Sequence, residues 1–424
     1  ALAGTLAYSD PERNREYRLK PGRIPFFMHR ERGLHLDEPE VRVDGAPISA
    51  SILGACLTLF HAGRVHVETG RGIFFYLPKM EAAPEAAWWR DFFSASQELV
   101  PHLRGAEIRA VALIESLPAA YQMEEILHAL GEYAAGLNAA RWDFQASLLE
   151  FVMMDPHSVW PDRFGVDIKQ TPFLTNIFRR LVAICLKHGA IPIGGMATAL
   201  PSRDETVNRM AGESIRADKV WEAQQGFLRA WVAHIFHMEA AAAPFKELRP
   251  RGWIAPPEKQ DPDLYPIEIQ APAGPITLAG THRNSRMLLE YLEGWLRGRG
   301  AKGIDSLAGQ PGARPALMED LATARISVAQ LAQRILHGAR DAETGQVHTR
   351  ELVKASLQQE LETILRLMGE GVLPEPDSGA EERYRKSFRI ALRWIQNYTE
   401  LNFRSLGSYT HADLHRIADE PDAF

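Results

Sequence analysis

Two carboxylates, Glu115 and Asp143, stand where this sequence is best equipped to do chemistry. Glu115 follows an apolar run, Ile108 to Ile114, and Asp143 follows a second short segment, Gly136 to Ala140. Between them lies a helix-length stretch, Ala119 to Tyr133, with Met123, Ile126, Leu127 and Leu130 at roughly helical spacing. Strand, helix and strand make one parallel βαβ unit. Such a unit sets both carboxylates just beyond the C-terminal ends of neighbouring strands, where α/β folds carry their reactive groups. Two hard oxygen donors there suit Mg2+, which takes one or two protein carboxylates and leaves its other positions to water and substrate.

Other chemistry-bearing residues are weaker when taken alone. Arg30 and Arg32 alternate after a short buried-strand candidate, Ile24 to Met28. If that strand continued, both would point the same way and one guanidinium could enter a site; standing alone, the stretch reads as a solvated charged loop. Lys79 ends the apolar strand Gly72 to Leu77 and could meet a phosphate or carboxylate, although a lone lysine is usually solvated. Glu319 and Asp320 fall at a helix start, where acidic residues complement the helix dipole. His234 and His237 lack a third ligand at metal-binding spacing and read as core or loop histidines.

The elements that must position these groups alternate. Helical patterns cover 48–64, 86–99, 146–152, 172–188 and 202–225, and strand patterns cover 72–77, 108–114, 190–196 and 230–234. Strands separated by helices at this spacing specify a parallel α/β fold, either a (β/α)8 barrel or an open doubly wound sheet. Gly194 and Gly195, inside one of those strands, allow another group to approach the backbone closely. Prolines at 250, 256, 257, 262, 266, 272 and 275 mark a linker. Beyond Thr281 the pattern is helical, over 285–299, 327–336, 349–368 and 381–402. The expected organisation is therefore an α/β domain over 1–247, a linker over 248–280 and a helical domain over 281–424.

Composition narrows the function. The chain has 424 residues, 46% hydrophobic and 24% charged, which is ordinary for a soluble globular protein. A net charge of −6 argues against a general nucleic-acid binder. Two cysteines, Cys56 and Cys185, provide neither a disulfide framework nor a cysteine metal site, which fits a reducing cytoplasm. No apolar run approaches bilayer-spanning length, so no membrane partner is expected.

Six segments together resemble the malate synthase family in its shorter, non-G form. They are RERGLHL (30–36), GIFFYLPKME (72–81), VALIESLPAAYQMEEILHAL (111–130), GLNAARWD (136–143), IGGMATALPS (193–202) and LMEDLATARIS (317–327). The resemblance implies a (β/α)8 TIM-type barrel with a C-terminal helical plug. It also implies Mg2+-dependent condensation of acetyl-CoA with glyoxylate, followed by thioester hydrolysis to malate and CoA. Carried over by residue, Glu115 and Asp143 would hold Mg2+, Arg30 would stabilise the enolate oxygen, and Asp320 would remove a methyl proton. Trp231 and the backbone around Asn138, Ala140, Arg141 and Trp142 would hold glyoxylate, and Lys79 would contact CoA. Two neighbouring readings share these parts: a malyl- or citramalyl-CoA lyase or related 2-oxo acid enzyme, and a non-catalytic protein that binds CoA or an acyl-carrier thioester.

The sequence also departs from the family. GRWD becomes ARWD at Ala140, where a methyl could reshape the pocket or strain the backbone. Ile235 replaces a proline, GQPGARPA (309–316) resembles an insertion, and residues 383–424 no longer resemble the family. The family's first barrel strand precedes RERGLHL, and only 29 residues precede Arg30. The resemblance therefore implies a truncated N-terminus or an unusually closed barrel.

Overall fold

The computed structural model describes the chain apart from residues 1, 12, 13, 21, 23, 24, 168, 170, 249–252, 308–310, 374–376, 405 and 421–424. The chain separates into two compact units. The first comprises 1–114 with 121–138, and the second comprises 115–120 with 139–424. The linker expected at 248–280 is a feature of sequence composition and falls within the second unit.

The first unit is built on parallel strands that lie side by side in chain order: β1 (His29–Arg30), β2 (Ile73–Leu77), β3 (Ile108–Ile114) and β4 (Ala134–Ala139, its last residue in the second unit). Strand β3 is apolar over its whole length except Arg109, and every other residue is buried. This is the signature of a parallel strand covered on both faces. The register is regular, with Ile73 beside Ile108 and Leu77 beside Ala112. The expected strand at Ile24–Met28 does not form over 25–28, and Ile24 lies outside the described residues. Pairing begins instead at His29 and Arg30, opposite Phe75 and Tyr76.

Two hairpins also occupy this unit. That of Asp37–Val43 with Ala46–Ser49 turns at Asp44-Gly45, with φ of 51° and 82°. Asp-Gly favours the left-handed pair of a tight hairpin turn, and here that short-range signal outweighed the lack of apolar alternation. The helical run Ala50–Glu68 has the length and hydropathy of a membrane span, contrary to the sequence expectation. Its buried residues are Ala50, Ser51, Ala55, Leu59, Gly63 and His66, and those from Ser51 to Gly63 recur every four positions, which marks one face of a helix packed on protein.

The second unit contains strands β5 (Ile191–Ala197) and β6 (Arg229–Val232), which pair in parallel with Trp231 beside Met196. An antiparallel pair, β7 (Ala301–Ile304) and β8 (Leu317–Asp320), follows. The helices of this unit that bear on the site are α1 (Arg141–Phe151), α2 (Glu205–Gln225), α3 (Leu278–Leu296), α4 (Leu321–Leu336), α5 (Arg350–Gly369) and α6 (Ala380–Thr399). Helix α3 is the hub of the last four. It packs on α4, α5 and α6, and it buries residues around almost its whole circumference.

Candidate active site

Asp143 sits in the first turn of α1, not directly at a strand end. Strand β4 stops at Ala139, and Ala140 serves as the helix N-cap with φ −86° and ψ 81°. That conformation is open to any L-residue, so alanine imposes no backbone strain here. A carboxylate in the first helical turn faces the exposed N–H groups and the positive end of the dipole. Glu115 is buried, with 2% of its surface exposed. The segment after it is tied to α1, because Leu117 N donates to Ser147 Oγ at 3.1 Å, one helical turn beyond Asp143. The single helix expected over Ala119–Tyr133 is broken at Gln122, into Leu117–Tyr121 and Met123–Leu130.

Asp320 reaches the site through a strand that the sequence pattern does not reveal. Residues Leu317–Asp320 form β8, and Met318 N donates to Thr198 O while Leu200 N donates to Ala316 O, both at 2.8 Å. These bonds fasten β8 to the backbone just past the C-terminal end of β5. Asp320 then caps α4, its Oδ1 accepting from Ala322 N at 3.0 Å and Thr323 N at 3.4 Å. The Thr323 hydroxyl in turn accepts from Asp320 N at 3.1 Å, completing a capping box.

The electrostatics join Asp320 to Asp143. Burial raises the Asp320 pKa above the usual carboxylate range, the charge of Asp143 raises it further, and the two backbone N–H groups oppose both. The buried Tyr291 hydroxyl is also pushed up, by desolvation first and then by Asp320 and Asp143. Beside them, Arg325 places Nη1 3.5 Å from Asp143 Oδ1. Glu319 faces away to Arg163, at 3.4 Å.

Arg141 lies on the other side of α1. Its guanidinium grips Asp218 with two bonds, of 3.0 and 3.1 Å, and lies 3.8 Å from Glu222. Lys219, fully buried, bonds Gly195 O at 2.7 Å, Glu222 at 3.0 Å and Asp218 at 3.1 Å. The close approach expected at Gly194-Gly195 is real. A Cβ on Gly195 would collide with the Arg141 guanidinium, and one on Gly194 with the Glu222 carboxylate. Arg141 and Trp142 line a cleft of about 860 Å3 with Met196, Asp218, Arg283 and Arg314. Its volume is that of a small-molecule site.

The remaining predicted residues are distributed as follows. Asn138 is buried on β4, and Trp231 is half-buried on β6. Arg30 is exposed on β1 in the first unit, with Cζ 5.7 Å from the Tyr76 ring centroid. The strand ends before Arg32, which pairs with Glu38 at 2.8 Å instead of sharing the direction of Arg30. Lys79, also in the first unit, adopts φ 59°. His234 caps a short helical turn, its Nδ1 accepting from Phe236 N at 3.1 Å.

Among the described residues, no three His, Cys, Asp or Glu side chains gather into a metal cage. The donor set nonetheless fits Mg2+. Glu115 and Asp143 offer only carboxylate oxygens, and this ion needs one or two of them. Sequence reasoning missed Arg325, Glu150, Tyr398 and the Asp218-Lys219-Glu222 cluster. Asp218 and Glu222 bracket a lysine on one helical turn, and that spacing is the one visible hint.

Parallel strands in chain order, interleaved with helices and carrying carboxylates beyond their ends, define a TIM-type α/β enzyme with an added helical block. Comparison with known proteins agrees. A family model described as "Malate synthase, TIM barrel domain" matches residues 26–252, and "Malate synthase, C-terminal" matches 275–411. Malate synthase A of Escherichia coli (strain K12) is 36% identical over 373 residues, covering 87% of this chain and 67% of that protein. Malate synthase of Streptomyces clavuligerus is 36% identical over 412 residues, covering 95% and 73%. That of Myxococcus xanthus (strain DK1622) is 35% identical over 386 residues, covering 91% and 66%. The chain belongs to the malate synthase family, and it spans from 66% to 73% of the length of these relatives.

Proposed function

We propose that this chain condenses acetyl-CoA with glyoxylate and hydrolyses the product thioester to malate and CoA. The observation that supports it most directly is Asp320, a half-buried carboxylate held at the N-cap of α4 within the field of Asp143. A thioester methyl is a weak carbon acid, so its proton requires a placed base. Burial makes Asp320 more basic than an exposed aspartate, and two backbone N–H groups hold it in one orientation.

Glu115 and Asp143 are the residues that would hold Mg2+, which supplies Lewis-acid polarisation of the aldehyde and a template for its carboxylate. Arg30 is assigned to the enolate oxygen by family resemblance, where a guanidinium stabilises the charge as it develops. For glyoxylate we assign Trp231, Asn138 and the backbone of Ala140, Arg141 and Trp142. The Arg141 guanidinium is committed to Asp218, so its contribution is through the main chain and through shaping the cleft. CoA is polyanionic, and the cations the cleft offers to such a ligand are Arg283, Arg314 and Lys169, which line it together with Asp167 and Asp305. Lys79 is assigned to CoA from its motif. Residues 281–424 are the domain that supplies the base. Two free cysteines, Cys56 and Cys185, fit a cytoplasmic location.

The decisive experiment incubates the protein with Mg2+, acetyl-CoA and glyoxylate and follows release of free thiol. Turnover is expected, and EDTA should abolish it. Cleavage of malyl-CoA without hydrolysis would replace this reading with a lyase, and CoA binding without thiol release from any small 2-oxo acid would replace it with a binding protein.

A further inference from the structure

Helix α6 begins the stretch from 383 that by its motifs no longer resembles the family, but the family's C-terminal model extends to 411 and includes it; the helix is wired to Asp143. Tyr398, fully buried near its end, donates its hydroxyl to Glu150 Oε1 at 2.6 Å. Glu150 receives a two-pronged bond from Arg325, Nε to Oε1 at 3.1 Å and Nη2 to Oε2 at 2.7 Å. The remaining prong, Nη1, meets Asp143 Oδ1 at 3.5 Å. Side chains in this chain are little exposed: 15% for Arg325, 13% for Glu150 and 16% for Asp143.

The geometry makes this more than a surface ion pair. Glu150 and Asp143 lie seven residues apart on α1, two turns along one face, so a single guanidinium on α4 can span them. A two-pronged carboxylate bond fixes the guanidinium plane as well as its position. Tyr398 fixes the carboxylate on which that plane depends. The direction of Nη1, and therefore the setting of Asp143, is determined by three elements that meet at Glu150.

We propose that Tyr398, Glu150 and Arg325 are positioning residues that set Asp143 for divalent cation binding. The proposal rests on the metal assignment made above. Partners that orient a ligating carboxylate typically change metal affinity by about 10–100-fold when altered. Both Glu150 oxygens are engaged by Arg325 and Tyr398, so the effect of all three residues on a cation would pass through the orientation of Asp143.

The test is isothermal titration of Mg2+ into the unaltered chain and into Tyr398→Phe and Arg325→Lys, with thermal melting of each. Tyr398→Phe removes one hydrogen bond and no charge, and Arg325→Lys keeps the charge but loses the fork. Both should weaken Mg2+ by about tenfold, and the enzyme assay should show the loss recovered by excess Mg2+. Unchanged affinity in both variants, with melting lowered or not, would reduce the network to fold support and overturn the proposal. Tighter binding in Arg325→Met would also overturn it, since that result would show charge competition and not positioning. If the unaltered protein binds no Mg2+, the metal assignment fails, and this inference fails with it.

Discussion

The backbone of Gly195 lies against the guanidinium of Arg141, so close that a Cβ there would stand 2.9 Å from Cζ. Asp218 clamps that guanidinium with two bonds, so it has no easy retreat. Gly195→Ala should therefore cost about 1–3 kcal/mol by overpacking, read as a shifted denaturant midpoint. Gly194→Ala should behave alike against Glu222, whose Cδ would lie 2.6 Å from the new methyl. Alanine at Gly212, where nothing lies within 4 Å, is the control that should cost nothing by crowding.

Asp218 gives the fold a dependence on acid. Burial opposes its charge, but Arg141 and Lys219 outweigh burial and hold its pKa below the ordinary 3.8. A depressed carboxylate adds stability above its unfolded value, and that stability is lost as pH falls through the folded value. Wild-type stability should thus drop steeply below about pH 4, and Asp218→Asn should flatten that limb while lowering stability at pH 7. An unchanged acid limb in the variant would show that other carboxylates dominate.

A second pH response belongs to the first unit. His29 Nε2 and His66 Nε2 lie 3.0 Å apart, and at least one ring must be neutral for them to share a proton. Burial lowers both pKa values from 6.5, helped at His29 by the charge of His66 and at His66 by that of Arg71. Depressed imidazoles bind protons less readily folded than unfolded, so stability present above pH 6.5 is lost as pH falls through the folded values. Melting curves between pH 7.5 and pH 5 should show the loss, and His66→Gln should reduce it.

Substitutions at Asp320 should separate chemistry from capping. Asparagine caps a helix about as well as aspartate, whereas alanine costs about 1 kcal/mol. Asp320→Asn should melt near the wild-type temperature yet lose about 100–10,000-fold in thiol release. Asp320→Ala should lose both. Retained thiol release in Asp320→Asn would remove it as the base.

Glu115 tests the metal assignment through its second carboxylate. Glu115→Gln keeps the side-chain volume and removes the charge. Mg2+ titration should show affinity reduced by about tenfold or more, with acetyl-CoA binding unchanged. Equal Mg2+ binding would remove Glu115 from the ligand set.

Much of the framework was written in local pattern. The all-apolar Ile108–Ile114 forms a buried strand because nothing in it needs water, and Pro172–Lys187 is a helix because its apolar residues share one face. The glycine pair at 194–195 also announced close approach, although not what approaches. Residue types and family motifs selected Glu115, Asp143 and Asp320 from the sequence alone. Only tertiary structure showed that Leu317–Asp320 is a strand bonded beyond β5, because its partners lie more than a hundred residues away at Thr198 and Leu200. The same holds for Arg325, Glu150 and Tyr398. Each is an ordinary polar residue of a helix until packing removes water and leaves them to satisfy one another. Sequence chose the reactive groups through local spacing, and the fold chose their neighbours through burial, which no local spacing encodes.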